Sequence, residues 1–312
     1  MRRKLATLKR MRDALPELDR IYRLFENLEN LPFELQDRVN REDIRLPEIC
    51  PVGDTMARLL KDHCSLSRFG EGEFRLALGT SIEFQHADRI LQQRLREILR
   101  TESERILIGI PDVFGSLATH TPASREFWRE YLVRNRDSIY ALLNMAREHH
   151  DANITRPYYM FTDKTAAATR FHQLRQLWEG QPILIVEGVN TRLGRGNDLL
   201  DNASSVRRIL CPAVNAFQRY EEILDAAHRH AAERLVLIAL GPTATVLAHD
   251  LAQEGLQAID IGHVDIEYEW FLRGAMHKIP IPGKHVNEAR APGDLNRVAD
   301  ELLESQVVAR IL

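Results

Sequence analysis

The sequence predicts an α/β protein whose mostly parallel sheet is covered by helices on both faces and preceded by a helical N-terminal extension. Three observations predict this fold. From about residue 52, short runs of valine, isoleucine and leucine recur, helical stretches separate them, and each run ends in a polar or glycine-containing turn. Strands buried on both faces have such continuous apolar runs, and the helices that bury them connect one strand to the next. The 312 residues are enough for a well-buried core.

The N-terminal segment has helical periodicity. Apolar residues recur every three or four positions from Leu5 to Leu31, and Pro16 is expected to kink or break the helix. A proline-punctuated stretch follows. We therefore expect a helical extension and linker over residues 1–50 and one domain over residues 51–312. The apolar stripe of the extension could pack on its own chain or join two copies into a homo-oligomer.

Five apolar runs are the predicted strands. They cover residues 105–112, 156–163, 182–188, 234–244 and 257–265. Helices are expected over residues 125–150 and 165–180, with His149, His150 and His228 as surface residues of helices. In open parallel sheets, ligands bind beyond the carboxyl ends of the strands. One rim of the sheet should therefore carry the residues that end the strands: Asp112, Asp163, Glu187, Gly241–Thr243 and His263–Asp265.

Composition and charge exclude several classes of function. The net charge is −3, which offers no electrostatic basis for binding nucleic acid or a membrane surface. No apolar run approaches the roughly 20 residues of a transmembrane helix, and the basic N terminus lacks the apolar core of a signal peptide. The three cysteines are scattered, as expected in a reducing compartment. The composition predicts a cytoplasmic protein.

The loop from Val186 to Asp198 is rich in glycine and carries two arginines. Such a loop can bring backbone N–H groups and positive charge to a phosphate. Its glycine spacing matches neither the P-loop nor the dinucleotide-binding fingerprint, so a flexible surface loop is the alternative. The candidate nucleotide-binding residues here are Glu187, Gly188, Arg192, Gly194, Gly196 and Asn197.

The segment Gly241-Pro242-Thr243 predicts a tight turn between a strand and a helix, with Thr243 as the cap of that helix. The exposed N–H groups of the turn could hold a diphosphate. A plain capped turn explains the same residues. Near the C terminus, Lys284 follows a proline-rich turn and could meet a phosphate or be an exposed lysine, and Asn287 lies close by.

Two acidic segments could bind a cation. Asp265 and Glu267 belong to a cluster of four carboxylates and one histidine, His263. The segment that carries this cluster is interpreted as the end of an apolar strand. Carboxylates together with substrate phosphates are the usual ligands of magnesium and manganese. A solvated acidic strand end is the alternative.

The segment "SRFGEGEF" is the second acidic segment. It places Glu71 and Glu73 on the same side if its backbone is extended. Together with Arg68, the two carboxylates could hold a metal and a phosphate, or act as acid and base on a sugar hydroxyl. The alternative is a charged turn in which Arg68 pairs with a glutamate, which contributes little at a surface.

Five segments resemble the bacterial glycosyltransferases of the GT-D fold, a family first described as a domain of unknown function. In order, they read "SRFGEGEF", "PYYMFTD", "VEGVNTRLGRGNDLLDNASSVRRILCPAVNAFQRYEEIL", "LIALGPTATVLAHDLAQEGLQAIDIGHVDIEYEW" and "GKHVNE". The resemblance covers about residues 55–290 and leaves the first 50 without a counterpart. It implies a Rossmann-like domain that uses a UDP-sugar donor and a divalent metal, Mn²⁺ or Mg²⁺. The family includes glucosyltransferases that extend glycans on serine-rich surface adhesins.

An Asp-X-Glu element is associated with metal-dependent catalysis in this family. The family's usual motif, Arg-Phe/Tyr-Gly-Asp-Gly-Glu, matches the segment that begins at Arg68. Glu71 replaces the aspartate of the motif, and Glu73 keeps its glutamate. The segment from Asp265 to Glu267 also fits Asp-X-Glu literally. Both elements therefore remain candidates for the metal site.

The resemblance and the motifs together predict transfer of a hexose, glucose by family analogy, from a UDP-sugar to a hydroxyl of a glycan or glycoprotein. Catalysis is assigned to Glu71, Glu73 and Asp265, with Glu267 as a further metal ligand. Arg68, Asp112, His263, Lys284 and Asn287 join the glycine-rich segments as donor contacts. A nucleotide-sugar-binding scaffold subunit is an alternative function. A metal-dependent phosphohydrolase is a weaker alternative, since no strand ends in Asp-X-Asp.

Overall fold

The computed structural model describes residues 45–284 and 300–312. The strands are Glu48–Cys50 (β1), Ser65–Arg68 (β2), Ile106–Ile110 (β3), Glu148–Asp151 (β4), Pro182–Gly188 (β5), Ser205–Cys211 (β6), Leu235–Ala239 (β7), Ala258–Asp260 (β8) and Val307–Arg310 (β9). The α-helices are Val52–Asp62 (α1), Glu71–Ala77 (α2), Arg89–Ile98 (α3), Pro122–Tyr140 (α4), Ala167–Gln176 (α5), Tyr220–His230 (α6), Pro242–Gln253 (α7), Val264–Leu272 (α8) and Glu301–Gln306 (α9). Short 3₁₀ helices cover Ala152–Thr155 and Ala216–Arg219.

The strands form one sheet in the order β1-β4-β3-β2-β8-β7-β5-β6-β9. Each pair of neighbouring strands is parallel. The longest register joins β5 to β6, from Pro182 opposite Ser205 to Gly188 opposite Cys211. The predicted α/β fold with a parallel sheet is confirmed. The predicted N-terminal helices lie in residues 1–44, outside the described part of the chain, and β1 precedes residue 51, the expected start of the domain.

Two apolar cores cover the faces of the sheet. Along β5 the side chains alternate, so that Leu184 and Val186 enter one core while Ile183 and Ile185 enter the other. Helices α2, α3, α4, α6 and α7 cover the first face, and α1, α5 and α8 cover the second. A connection whose next strand lies nearer the β1 edge of the sheet crosses the first face. A connection whose next strand lies nearer the β9 edge crosses the second face, so all these crossovers are right-handed.

Connections diverge at two positions along the sheet. After β2 the chain enters α2 on the first face, whereas after the adjacent β8 it enters α8 on the second. After β7 it enters α7 on the first face, whereas the loop that follows the adjacent β5 packs on the second. Diverging connections leave crevices beyond the carboxyl ends of the strands, where open α/β sheets bind their ligands. We call them the β2–β8 crevice and the β5–β7 crevice.

The strand predicted over residues 156–163 is wrong. The strand lies instead at Glu148–Asp151, and the aromatic residues of the predicted strand pack against α8, with Tyr159 on Trp270 and Tyr158 on Phe271. These rings are buried by a helix rather than by sheet neighbours, so their apolar pattern imitates a strand.

Two of the three histidines assigned to the surface are buried. His149 and His150 lie in β4 between β1 and β3, and burial lowers the pKa of both to about 4, so both are neutral near pH 7. The helix predicted over residues 125–150 ends at Tyr140, before this strand. The surface assignment of His228 is confirmed, since its exposed ring lies 3.0 Å from a carboxylate oxygen of Glu254.

Within residues 45–284 and 300–312, the helices are too short or too polar to cross a bilayer.

Candidate active site

Arg68 joins the two strands that flank the β2–β8 crevice. It ends β2 and donates from Nη2 to the carboxylate of Asp260 at 2.8 Å and from Nε to the Asp260 carbonyl at 2.7 Å. Asp260 ends β8, so the guanidinium spans the floor of the crevice. Gly262 has φ +49°, and a Cβ there would lie 1.8 Å from Nη2 of Arg68. A side chain at residue 262 would displace the guanidinium. The partner of Arg68 is thus an aspartate of another strand rather than a nearby glutamate.

Glu71 and Glu73 lie in the first turn of α2 at this crevice. Oε2 of Glu73 accepts a hydrogen bond from the Gly70 N–H at 2.8 Å, which caps the helix. The extended conformation considered for this segment is wrong because the cap folds it into a helix, where residues two apart do not face each other. Glu71 pairs with Arg75 at 3.0 Å. Burial, and then the nearby Asp260 carboxylate, raise the pKa of Glu73.

A buried carboxylate that the sequence analysis did not identify lies next to this crevice. Asp151 ends β4, and its Oδ1 accepts a hydrogen bond from the Asn153 N–H at 2.8 Å. The following carbonyl, of Ala152, accepts a hydrogen bond from Arg68. Burial, together with Asp112 at the end of β3, raises the pKa of Asp151 to about 7. Asp112 itself is exposed at the predicted rim. The polar strand Glu148–Asp151 has no apolar pattern that would reveal Asp151.

Replacing Asp151 by asparagine should stabilise the protein above neutral pH. The carboxyl of Asp151 ionises near pH 4 in the unfolded chain but at about pH 7 in the folded protein. The folded state therefore binds more protons between these values, and the free energy of unfolding falls as pH rises. At about 1.4 kcal/mol per unit, Asp151→Asn should gain about 2–4 kcal/mol at pH 8, and the gain should shrink toward pH 5.

Urea unfolding from pH 5 to pH 8 measures this gain, with Asp201→Asn at an exposed position as the control. A difference between wild type and Asp151→Asn that is the same at every pH would contradict the assignment.

Glu187 anchors the glycine-rich loop from the protein interior. It is fully buried at the end of β5, where Oε1 pairs with Nη1 of Arg208 at 2.5 Å and Oε2 accepts a hydrogen bond from the Leu193 N–H at 2.7 Å. Nη2 of Arg208 donates to the Leu193 carbonyl at 2.9 Å. Of the candidate nucleotide contacts, Glu187 thus holds the loop in place from inside the protein, while Gly188 ends the strand at the β5–β7 crevice.

The acidic residues of α8 hold the same loop from the side. Asp265 accepts hydrogen bonds from the Gly194 N–H at 3.0 Å, from Nδ2 of Asn197 at 2.9 Å and from Nζ of Lys284 at 2.7 and 2.8 Å. Glu269 accepts from Nδ2 of Asn197 at 2.8 Å and lies 3.1 Å from Nζ of Lys284. This buried network compensates the clustered charge that the sequence alone leaves unexplained.

Glu267 positions the loop that follows β4. Its Oε2 accepts hydrogen bonds from the N–H groups of Tyr158 at 3.0 Å and Tyr159 at 2.7 Å, and its Oε1 lies 4.0 Å from Nη1 of Arg156. Nη2 of Arg156 lies 3.0 Å from Nδ1 of His263. The strand that was expected to reach Asp265 ends at Asp260, and α8 begins at Val264.

The two arginines of the glycine-rich loop bind a carboxylate of the chain itself. Arg192 Nη2 donates to Asp300 at 2.8 Å, and Arg195 donates to both carboxylate oxygens of Asp300 at 2.9 Å. Asp300 caps α9 by accepting from the Leu303 N–H. The two guanidinium groups carry the positive charge expected for a phosphate contact. In the structure they bind Asp300 and so hold α9 against the glycine-rich loop.

The predicted turn between β7 and α7 is confirmed. Gly241 has φ +54° and occupies the N-cap position, so the capping role expected of Thr243 is wrong. Thr243 is fully buried in the first turn of the helix. A Cβ at Gly241 would lie 2.8 Å from the ring of Phe84, which requires glycine here.

The four candidate metal ligands divide between two places. Among residues 45–284 and 300–312, no three His, Cys, Asp or Glu side chains are arranged to hold a cation. Asp265 binds the ammonium of Lys284, and Glu267 binds two backbone N–H groups, so this pair does not fit a metal. Glu71 and Glu73 do not face each other on α2. Of the two, Glu71, which pairs with the partly exposed Arg75, fits the mode in which magnesium and manganese take one carboxylate together with substrate phosphates. Asn287 lies outside the described residues.

Comparisons with known proteins agree with this fold. Residues 66–289 match the family described as "Glycosyltransferase GT-D fold". The chain is 42% identical over 264 residues to the probable glycosyl transferase Gly of Streptococcus gordonii, covering 84% of this chain and 39% of that protein. It is 36% identical over 292 residues to the glycosyltransferase GlyD of Streptococcus pneumoniae serotype 4 (strain ATCC BAA-334 / TIGR4), covering 92% of this chain and 36% of that protein. The chain thus spans less than half the length of these curated relatives.

Two solved structures share the fold. One is domain of unknown function 1792, described as having a distinct glycosyltransferase fold, with a TM-score of 0.80 and 37% identity over 85% of this chain and 96% of that one. The other is a glycosyltransferase of the same domain family from Streptococcus sanguinis, with a TM-score of 0.79 and 39% identity over 86% of this chain and 100% of that one. With its parallel sheet and the acidic pair at the β2–β8 crevice, the chain belongs to the family of glycosyltransferases with the GT-D fold.

Proposed function

We propose that this chain transfers a hexose, glucose by family analogy, from a UDP-sugar to a hydroxyl group of a glycan or glycoprotein. The observation that carries the proposal is the position of Glu71 and Glu73 at the β2–β8 crevice, beside the ion pair of Arg68 and Asp260. Family membership supports a glycosyltransferase, and the acidic pair supports a donor that carries a diphosphate.

Glu73 is the proposed proton acceptor. The pKa of Glu73 is raised toward neutral pH. A general base is most effective when its pKa lies near the pH of the reaction. In the transfer, the acceptor oxygen bonds to C1 of the sugar, the bond from C1 to the diphosphate breaks, and its electron pair leaves with UDP. The proton of the acceptor hydroxyl passes to the carboxylate. Glu71, also in the first turn of α2, is the second candidate for this role.

Glu71 would hold the divalent cation. When bound, the cation would neutralise charge on the diphosphate. The helix N terminus at Gly241–Thr243 and the loop after Gly188 border the β5–β7 crevice, and they are the proposed backbone contacts of the nucleotide. The mechanism does not require Asp265 or Glu267 to contact the substrate, since both are engaged with the protein.

Incubation with UDP-glucose tests the proposal. With manganese or magnesium and a glycan acceptor, the protein is expected to release UDP, and chelation with EDTA should lower the rate at least tenfold. Restored metal should restore the rate. Failure to bind or turn over any UDP-sugar, with either metal, would contradict the proposal.

The products separate the alternative functions. Release of inorganic phosphate would favour a phosphohydrolase. Binding of UDP without turnover would favour a scaffold subunit of a glycosylation complex. The cytoplasmic location stays a prediction. The homo-oligomer through the N-terminal helices also stays a prediction, since residues 1–44 lie outside the described part of the chain.

A further inference from the structure

Helix α4 carries three neighbouring aromatic side chains, Phe127, Trp128 and Tyr131, which we call the aromatic platform. The rings of Phe127 and Tyr131 lie one helical turn apart, with centroids separated by 6.3 Å and planes inclined by only 3°. Trp128 is buried and lies nearly perpendicular to both, with ring centroids 5.2 Å from Phe127 and 5.8 Å from Tyr131. The two parallel rings are therefore held in place from one side.

The platform starts at the acidic pair of the proposed active site. The hydroxyl group of Tyr131 donates to the backbone carbonyl of Glu71 at 3.3 Å. Burial, then the charge of Glu71 and with a smaller effect that of Glu73, raise the pKa of Tyr131. Phe127 lies farther along the same row of rings, so the platform leads away from the β2–β8 crevice along the first turns of α4.

Phe127 is exposed where folding does not require it. Its side chain is 48% exposed, and among the large apolar side chains exposed within the described residues it is the one aromatic ring. Leaving an aromatic ring in water forgoes the free energy that its burial would contribute. Exposed apolar surface rimmed by polar residues marks a binding surface when it is contiguous, and Phe127 is contiguous with the half-buried Tyr131.

The chemistry of the platform suits a sugar ring. The face of an aromatic ring carries partial negative charge, and the C–H bonds on one face of a pyranose are apolar and slightly positive. Stacking places these faces together while the hydroxyl groups of the sugar stay at the rim in water. Phe127 offers an exposed ring of this kind, in the same row as Tyr131, whose hydroxyl group contacts the backbone of Glu71.

We propose that the aromatic platform binds a pyranose ring of the acceptor. The inference rests on the proposed function, because it assigns the second substrate of the same site. A protein surface that docks on Phe127 would be a different occupant, and the test below distinguishes it.

Kinetics with simple acceptors test the platform. With the methyl glycosides of glucose, galactose and N-acetylglucosamine as acceptors, Phe127→Ala should raise the acceptor KM at least tenfold and change the donor KM much less. Phe127→Trp keeps a flat ring and should stay within threefold of wild type. Met276→Ala, at an exposed apolar position of the segment after α8, is the matched control and should leave both KM values unchanged.

Binding measured without turnover separates this inference from the proposed function. Saturation-transfer NMR should show the glycosides bound to wild type and lost with Phe127→Ala. If wild type releases no UDP but binds glycosides through Phe127, the transferase proposal fails and the platform stands. If wild type transfers sugar and Phe127→Ala keeps its acceptor KM, the platform is wrong. Binding of a carrier protein that depends on Phe127, with unchanged glycoside binding, would also overturn it in favour of a protein-docking surface.

Discussion

Replacing Glu73 by glutamine is expected to lower the rate of sugar transfer by about 10²–10⁴-fold, the usual contribution of a general base. Glutamine removes the proton acceptor and keeps an oxygen that can accept the hydrogen bond from the Gly70 N–H, so α2 stays capped. The melting temperature should not fall, because the substitution removes a carboxylate whose pKa is raised by burial. Initial rates of UDP release and thermal unfolding of the same preparations measure the two effects.

A matched substitution identifies the cause of the loss. Glu97, exposed on α3, can be replaced by glutamine and should retain the wild-type rate. In wild type the rate should rise with pH through the raised pKa of Glu73, because the ionised form accepts the proton. A Glu73→Gln enzyme that folds and retains more than half of the rate would exclude Glu73 as the base.

The Glu71→Asp substitution, which restores the usual family residue, then tests whether the longer carboxylate limits the metal site.

Replacing Arg208 by methionine is expected to lower the free energy of unfolding by about 3–5 kcal/mol. Arg208 is buried beneath the glycine-rich loop, and its removal leaves the fully buried carboxylate of Glu187 without a compensating charge. It also removes hydrogen bonds to Gln306 and to the Leu193 carbonyl. Urea unfolding followed by circular dichroism at pH 7 measures the loss.

Two variants separate the buried charge from the loss of side-chain volume. Arg207→Met changes the neighbouring, exposed arginine of the same strand and should alter stability by about 0.5 kcal/mol or less. The double variant Glu187→Gln/Arg208→Met removes both charges and should recover part of the loss. A decrease below about 1 kcal/mol for Arg208→Met would show that the ion pair is not the anchor of this loop.

The acidic segment of α8 shows why its role could not be predicted from the sequence. Asp265 and Glu267 follow β8 closely, and they match the Asp-X-Glu motif expected of a metal site. Their partners come from elsewhere in the chain: Lys284 for Asp265, and the N–H groups of Tyr158 and Tyr159 for Glu267. Such long-range contacts leave no periodicity in the local sequence, and they decide whether a carboxylate is available to a ligand.

Two of the strands that the sequence analysis missed, β4 and β6, share a physical cause. β6 contains two arginines, and one of them is buried only because Glu187 lies on the neighbouring strand. β4 is made of polar and charged residues, and its histidines are buried between two other strands. In both cases the compensation for burial comes from a neighbour in space, so the polar residues interrupt the apolar pattern that identifies a strand.

By itself the sequence determined the α/β class, the β7–α7 turn and the acidic pair as a candidate site. These features depend on local physics: the period of apolar residues, the backbone freedom of Gly241 and the carboxylates of Glu71 and Glu73. Only the tertiary structure decided which strands are neighbours, and therefore where connections diverge to open a crevice. It also decided which carboxylates the protein uses for itself, because a charge buried beside Lys284 or a backbone N–H group is no longer available to a substrate.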